Sequence, residues 1–171
     1  MKGTRKGIRS GNTQMSRPRI SEARASSSDD MPIYIPDTSV IIDGRITELI
    51  SKGTLINAKI IVPNAVISEL ENQANSGMET GFSGLSELQK LVSMGEEGKI
   101  ELEYGGEEVD LEHVQLGNVD SLIRKVALQS SAVLITSDRV QAEVSRSRGL
   151  DVMFLEQKFE KKELPLSKYF D

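Results

Sequence analysis

Short runs of apolar, mostly β-branched residues recur along this chain, and segments of helical period lie between them. Ile33-Tyr34-Ile35, Ala58 to Val62, Lys99 to Tyr104, Ala132 to Ile135 and Val152 to Leu155 read as strands. The spacing of Ile46, Leu49 and Ile50 predicts a helix closed by Gly53. Asn64 reads as the N-cap of a helix through Val66, Ile67, Leu70 and Ala74. Asn75 to Gly84 reads as a glycine-bearing connection, followed by helical spacing of Leu85, Leu88, Leu91 and Val92. Those four leucine-row positions serve either the core or a subunit contact. Leu122, Ile123, Val126 and Ala127 form the stripe of a further helix, and Asp138 to Arg148 forms another that Gly149 stops. The acidic segment Gly105 to Gly117 is expected to hold one short helix. No internal repeat is present. Strands that alternate with helices and are apolar on both faces make a parallel sheet covered by helices on both sides, an α/β fold.

Composition then narrows the chemistry. The chain has no Cys and a single His, His113, so disulfides, thiolate catalysis and multi-His metal sites are excluded. Any metal chemistry must use carboxylates, whose natural ions are hard ones such as Mg²⁺ or Mn²⁺. His113 sits in the acidic segment and is read as surface. No apolar run approaches the roughly 18 residues of a membrane span, so a cytoplasmic chain is expected. The net charge is −5 over 171 residues, but residues 1–30 carry seven Lys/Arg against three Asp/Glu, and residues 31–171 carry fourteen against twenty-three. The first stretch lacks aromatic residues and contains Ser26-Ser27-Ser28, so a disordered basic tail is expected over 1–30. It is either inert or a phosphate-contacting arm.

The acids fall in informative places. Asp37 follows the first strand and Asp138 the fourth. Asp120 lies in the first turn of one helix and Glu69 early in another. In a right-handed parallel sheet, strand C-termini and the following helix N-termini share one edge, where such folds bind ligands. An acid in a first turn is also favoured by the helix dipole, so position alone assigns nothing. Their company does more. Asp37 is followed by Thr38 and Ser39, and Asp138 is preceded by Thr136 and Ser137. Hydroxyls of this kind orient a carboxylate, and a divalent cation relieves the repulsion of clustered acids.

Four blocks now stand in order: Asp37-Thr38-Ser39-Val40-Ile41-Ile42-Asp43-Gly44, Val66-Ile67-Ser68-Glu69-Leu70, Val119-Asp120-Ser121-Leu122-Ile123, and Thr136-Ser137-Asp138. Together they resemble the signature blocks of the PIN domain, a family of metal-dependent nucleases with a parallel sheet between helices. The resemblance implies a three-layer α/β/α sandwich over residues 31–156, with a central parallel sheet of about five strands. It implies catalytic and metal-binding roles for Asp37, Glu69, Asp120 and Asp138. Thr136 would be a supporting hydroxyl, and Ser39 matches the small hydroxyl of the first block. Asp43-Gly44-Arg45 is similar to PIN–TRAM proteins. Gly81-Phe82-Ser83-Gly84-Leu85 and Thr136-Ser137-Asp138-Arg139-Val140-Gln141-Ala142-Glu143-Val144 are most similar to archaeal PIN ATPases, which carry a ring ATPase and a KH domain after the PIN domain.

The function implied is divalent-metal-dependent hydrolysis of phosphodiesters, in single-stranded RNA or in DNA, by a homo-oligomer. No Walker A motif occurs, so ATP hydrolysis is not assigned, and residues 157–171 read as a C-terminal extension or a linker to an attached ATPase. Arg45, Arg124, Lys125 and Arg139 are candidate phosphate contacts. A non-catalytic alternative is an oligomerisation and nucleic-acid-docking module for an attached ring ATPase. A receiver-like or phosphatase domain is a third reading. Its receiver-like form is weakened because no Lys stands at the right place after a late strand.

Overall fold

The computed structural model describes residues 30–110 and 118–157. The expected basic tail up to residue 29, His113 and the C-terminal extension from residue 158 lie outside the described residues. Among the described residues five strands alternate with six helices: β1 (Ile33–Pro36), α1 (Thr38–Ile42), α2 (Arg45–Ser51), β2 (Lys59–Pro63), α3 (Asn64–Asn75), α4 (Glu79–Glu96), β3 (Glu101–Gly105), α5 (Val119–Ser130), β4 (Val133–Thr136), α6 (Arg139–Ser147) and β5 (Asp151–Phe154). Every pairing is parallel and the order is β3-β2-β1-β4-β5. The chain winds outward from β1 through β2 to β3, then returns across the sheet to β4 and β5. Right-handed crossovers carry α1 to α4 to one face and α5 and α6 to the other, which makes the expected three layers.

Burial follows that order. Ile35, Ile60, Leu134 and Ile135 in the three central strands are fully buried, and each contributes about 1.5–3 kcal/mol by leaving water. The edge strands β3 and β5 keep charged or half-buried residues. Tyr104, expected on the apolar face of β3, is 48% exposed for that reason. Ile100, just before β3, and Leu88 and Leu91 of α4 join the core, while Val92 is exposed. Among the described residues no helix is long and apolar enough to cross a membrane.

Three local readings are corrected. The single helix expected before Gly53 is two, because Gly44 takes φ +69° between α1 and α2, a conformation costly for a residue with a Cβ. Asn64 does not cap α3; its Nδ2 donates to the Gly106 carbonyl at 3.0 Å and ties the start of α3 to the end of β3. The connection read over Asn75 to Gly84 is only Ser76 to Met78, and Gly81 and Gly84 lie inside α4. A Cβ at Gly84 would stand 2.3 Å from Leu70 Cδ2, and one at Gly81 would stand 2.3 Å from the Ala74 nitrogen. These glycines let α4 press onto α3; they do not break the helix. Of the acidic segment, residues 106–110 carry no helix and residues 111–117 lie outside the described residues.

Candidate functional site

The sheet reverses its winding between β1 and β4, which in open α/β sheets is the crevice that receives ligands. Asp37 and Asp138 flank it. Asp37 follows β1 and is fixed by its own N–H, which donates to the Ile135 carbonyl of β4 at 2.8 Å. Its side chain is 3% exposed. Oδ2 accepts from Thr136 Oγ1 at 2.7 Å and from Ser39 Oγ at 3.1 Å. Oδ1 is buried and has no hydrogen-bond partner among the described residues.

Both hydroxyls are themselves anchored. Thr136 Oγ1 accepts from the Asp138 N–H at 3.0 Å, and Ser39 Oγ accepts from the Ser137 N–H at 3.1 Å. The turn after β4 therefore holds the two hydroxyls that hold Asp37. Asp138 caps α6, with Oδ1 accepting from the N–H groups of Val140 and Gln141 at 2.9 and 3.2 Å. That leaves Oδ2 outside the cap.

Glu69 approaches from the first turns of α3. Its Oε2 accepts from Thr38 Oγ1 at 2.6 Å, one residue after Asp37. Asp120 stands in the first turn of α5. Electrostatics show that the four acids share one locality. Burial pushes the Asp37 carboxyl up to about 6 against the lowering pull of Thr136, with Asp120 and Asp138 adding to the rise. Glu69 is raised by burial and by Asp120, with Thr38 opposing. Asp120 is raised by burial and by Asp138, with Arg124 opposing. Asp120 is thus the neighbour common to the other three. Among the described residues, however, no three acids are gathered into a ready ligand set for a metal ion.

The cations are used differently from one another. Arg45 Nη1 donates to the Glu156 carbonyl at 2.8 Å and ties the chain after β5 to the start of α2. Arg124 donates to Gln141 Oε1, Lys125 pairs with Glu107, and Arg139 is exposed beside Asp138. Gln141 was missed by sequence reasoning. It is 2% exposed, and its Nε2 donates to the Asp120 carbonyl at 3.1 Å, so one side chain links the acid-bearing turns of α5 and α6. Asp138-x-x-Gln141 reads as a capping box. That signal marks Gln141, although the side chain turns to α5 instead of back to its own helix.

A family model described as PIN domain matches residues 34–147. The chain is 49% identical over 138 residues to an uncharacterized KH and PIN-domain containing protein of Methanocaldococcus jannaschii, covering 79% of this chain and 22% of that protein. It is 26% identical over 137 residues to the Holliday junction branch migration ATPase PINA of Sulfolobus acidocaldarius, covering 80% of this chain and 25% of that protein. It is 34% identical over 113 residues to an uncharacterized PIN and TRAM-domain containing protein of Bacillus subtilis, covering 64% and 29% respectively. The chain thus spans between a fifth and a third of the length of these relatives. A solved domain of a functionally unknown protein from Methanocaldococcus jannaschii superposes with a TM-score of 0.71 at 46% identity, covering 79% of this chain and 99% of that one.

Proposed function

This chain belongs to the PIN domain family, and from that premise we propose that it is a divalent-metal-dependent nuclease that hydrolyses phosphodiester bonds in single-stranded RNA. PIN domains are generally nucleases and typically use Mg²⁺ or Mn²⁺. The observation that carries the reading is Asp37 Oδ1: a buried carboxylate oxygen with no donor among the described residues, near Asp120 and Asp138, at the crevice where the sheet reverses. An all-oxygen, multiply charged donor set suits a hard cation.

Asp37, Asp120 and Asp138 would hold the ion, Asp138 through Oδ2. When bound, such a cation acidifies water and neutralises charge developing on the phosphate. The chain's own residues do the rest. Thr136 and Ser39 keep Asp37 Oδ2 in place. Thr38 fixes Glu69 Oε2, so Oε1 is the oxygen that accepts a proton from the attacking water. The raised proton affinity of Glu69 makes it a better base near neutral pH. No side-chain nucleophile is needed.

A second reading draws on the match to a quarter of an ATPase and on the lack of a gathered ligand set among the described residues. In it the domain docks nucleic acid and oligomerises for an attached ring ATPase, without cutting. The discriminating experiment is Mn²⁺-dependent cleavage of labelled single strands of RNA and DNA by the wild type and by Asp37→Asn. The nuclease reading expects cleavage by the wild type alone. Strand binding by both proteins with cleavage by neither supports the docking module.

A further inference from the structure

Bulk acidity opposes nucleic-acid binding, but the charge is segregated. Residues 96–110 carry seven acids and one lysine, on the β3 side of the sheet. Residues 118–150, which hold α5 and α6, carry five Lys/Arg and three acids. Two of those acids are Asp120 and Asp138, and the third, Glu143, pairs with Arg146 at 3.4 Å. What remains is Arg124, Lys125, Arg139 and Arg148. Three of these four converge. A groove of about 260 Å³ is lined by Ser121, Arg124, Lys125, Leu128 and Arg148. On α5 the lining residues follow the i, i+3, i+4, i+7 spacing of one helix face, a row about 10 Å long. The row starts beside Asp120.

We propose that this groove is a phosphate-binding subsite that carries the nucleic-acid strand away from the acidic site, with Arg148, Lys125 and Arg124 on its phosphodiester backbone. The inference rests on the nuclease reading for the identity of its ligand. Guanidinium groups match phosphate oxygens in a planar fork, and an ammonium adds a point charge. The pair of Lys125 with Glu107 is solvent-exposed on both sides, so it is weak and can exchange for a phosphate. Leu128, 48% exposed, offers an apolar step for a sugar or base face. Arg124 is held by the buried Gln141, which also holds the Asp120 carbonyl. The groove and the acidic site are therefore braced on one side chain, and a phosphate seated on Arg124 stands in fixed register with the acids. Arg148 was no part of the sequence-based candidate set, because nothing in its neighbourhood along the chain links it to α5.

The test is binding of a fluorescein-labelled oligouridylate to the whole chain in EDTA, by anisotropy across a salt series, so that no cleavage and no metal enter. The double variant Lys125→Ala/Arg148→Ala should bind about tenfold or more weakly, and its salt slope should flatten by about 1.4, near 0.7 for each lost single-strand phosphate contact. Arg146→Ala, equally cationic but outside the groove, should bind as the wild type does, and Arg148→Lys should restore most of the affinity. All variants should melt with the wild type. Equal affinity and slope for the double variant and the wild type overturn the proposal, as does an equal loss in Arg146→Ala or a wild type that binds no strand. Binding with the expected variant pattern but without Mn²⁺-dependent cleavage leaves the groove standing and removes the nuclease reading alone.

Discussion

Glu87 and Asp37 are both carboxylates sealed from water, at 2% and 3% exposure, and the chain treats them in opposite ways. Glu87 reaches from α4 to the start of α2, where Oε2 accepts from the Thr47 N–H at 2.9 Å and Oε1 from Thr47 Oγ1 at 2.8 Å. Gly44 occupies the cap position of α2 and has no side chain to satisfy that N–H. Glu87 therefore does, from another helix, what a capping residue does. Each of its oxygens has a donor. Among the described residues Asp37 has two donors on one oxygen and none on the other, with Asp120 and Asp138 nearby. Burial alone does not mark a site. A buried charge with completed hydrogen bonds holds the fold together, while one left incomplete among like charges is arranged for something the protein itself does not supply.

The comparison can be pressed hardest on activity. Asp37→Ala should abolish Mn²⁺ binding and cleavage together, whereas Glu69→Gln, softer and longer in reach, should keep weakened Mn²⁺ binding while cleavage falls by roughly 10²-fold or more. Calorimetric titration beside single-turnover cleavage measures both. If Glu69→Gln cleaves at the wild-type rate, Glu69 belongs with Glu87 as a structural acid.

Stability should separate the two carboxylates in sign. Glu87→Ala strands the Thr47 N–H and hydroxyl and should cost about 4 kcal/mol in urea unfolding, taking about 2 for each donor. Asp37→Asn removes a disfavoured charge and should stabilise the metal-free chain. A destabilised Asp37→Asn, or a neutral Glu87→Ala, would erase the distinction.

The smaller effect is on pH. The folded chain holds the Asp37 proton up to about 6, against 3.8 ordinarily, so between those values it binds more protons than the unfolded chain. Metal-free stability should then fall as pH rises through this window, by up to about 3 kcal/mol in all, since one proton held more tightly changes stability by about 1.4 kcal/mol for every tenfold change in its affinity. Glu69 and Asp120 are raised as well and act in the same direction. Asp37→Asn should flatten the slope, which denaturant midpoints at a series of pH values would show.

Much of this was legible in the sequence. Four strands follow from short apolar runs, and β3 from the alternation of Ile100, Leu102 and Tyr104 with charged residues, because sheet burial writes itself into period and composition. Asp37 and Asp138 were legible as acids that end strands, and their approach to each other needed only the parallel topology. What stayed hidden lies in contacts between elements distant in sequence. Gly81 and Gly84 look like a loop, since the same absence of a Cβ serves a turn or a close helix crossing, and only Leu70 and Ala74 opposite them decide which. Glu87 is one acid on a helix until Thr47 is placed beside it. The bond from Arg45 to the Glu156 carbonyl spans 111 positions and leaves no trace in the local sequence.

If a cation completes the bonding of Asp37 and Glu87 has no need of one, thermal melting of the wild type, Asp37→Asn and Glu87→Gln across millimolar Mn²⁺ will show it. Mass action predicts a rise in Tm with Mn²⁺ for the wild type and an equal rise for Glu87→Gln from its own baseline, with Asp37→Asn flat. A wild-type Tm that does not move with Mn²⁺, or a rise that survives in Asp37→Asn, would contradict it.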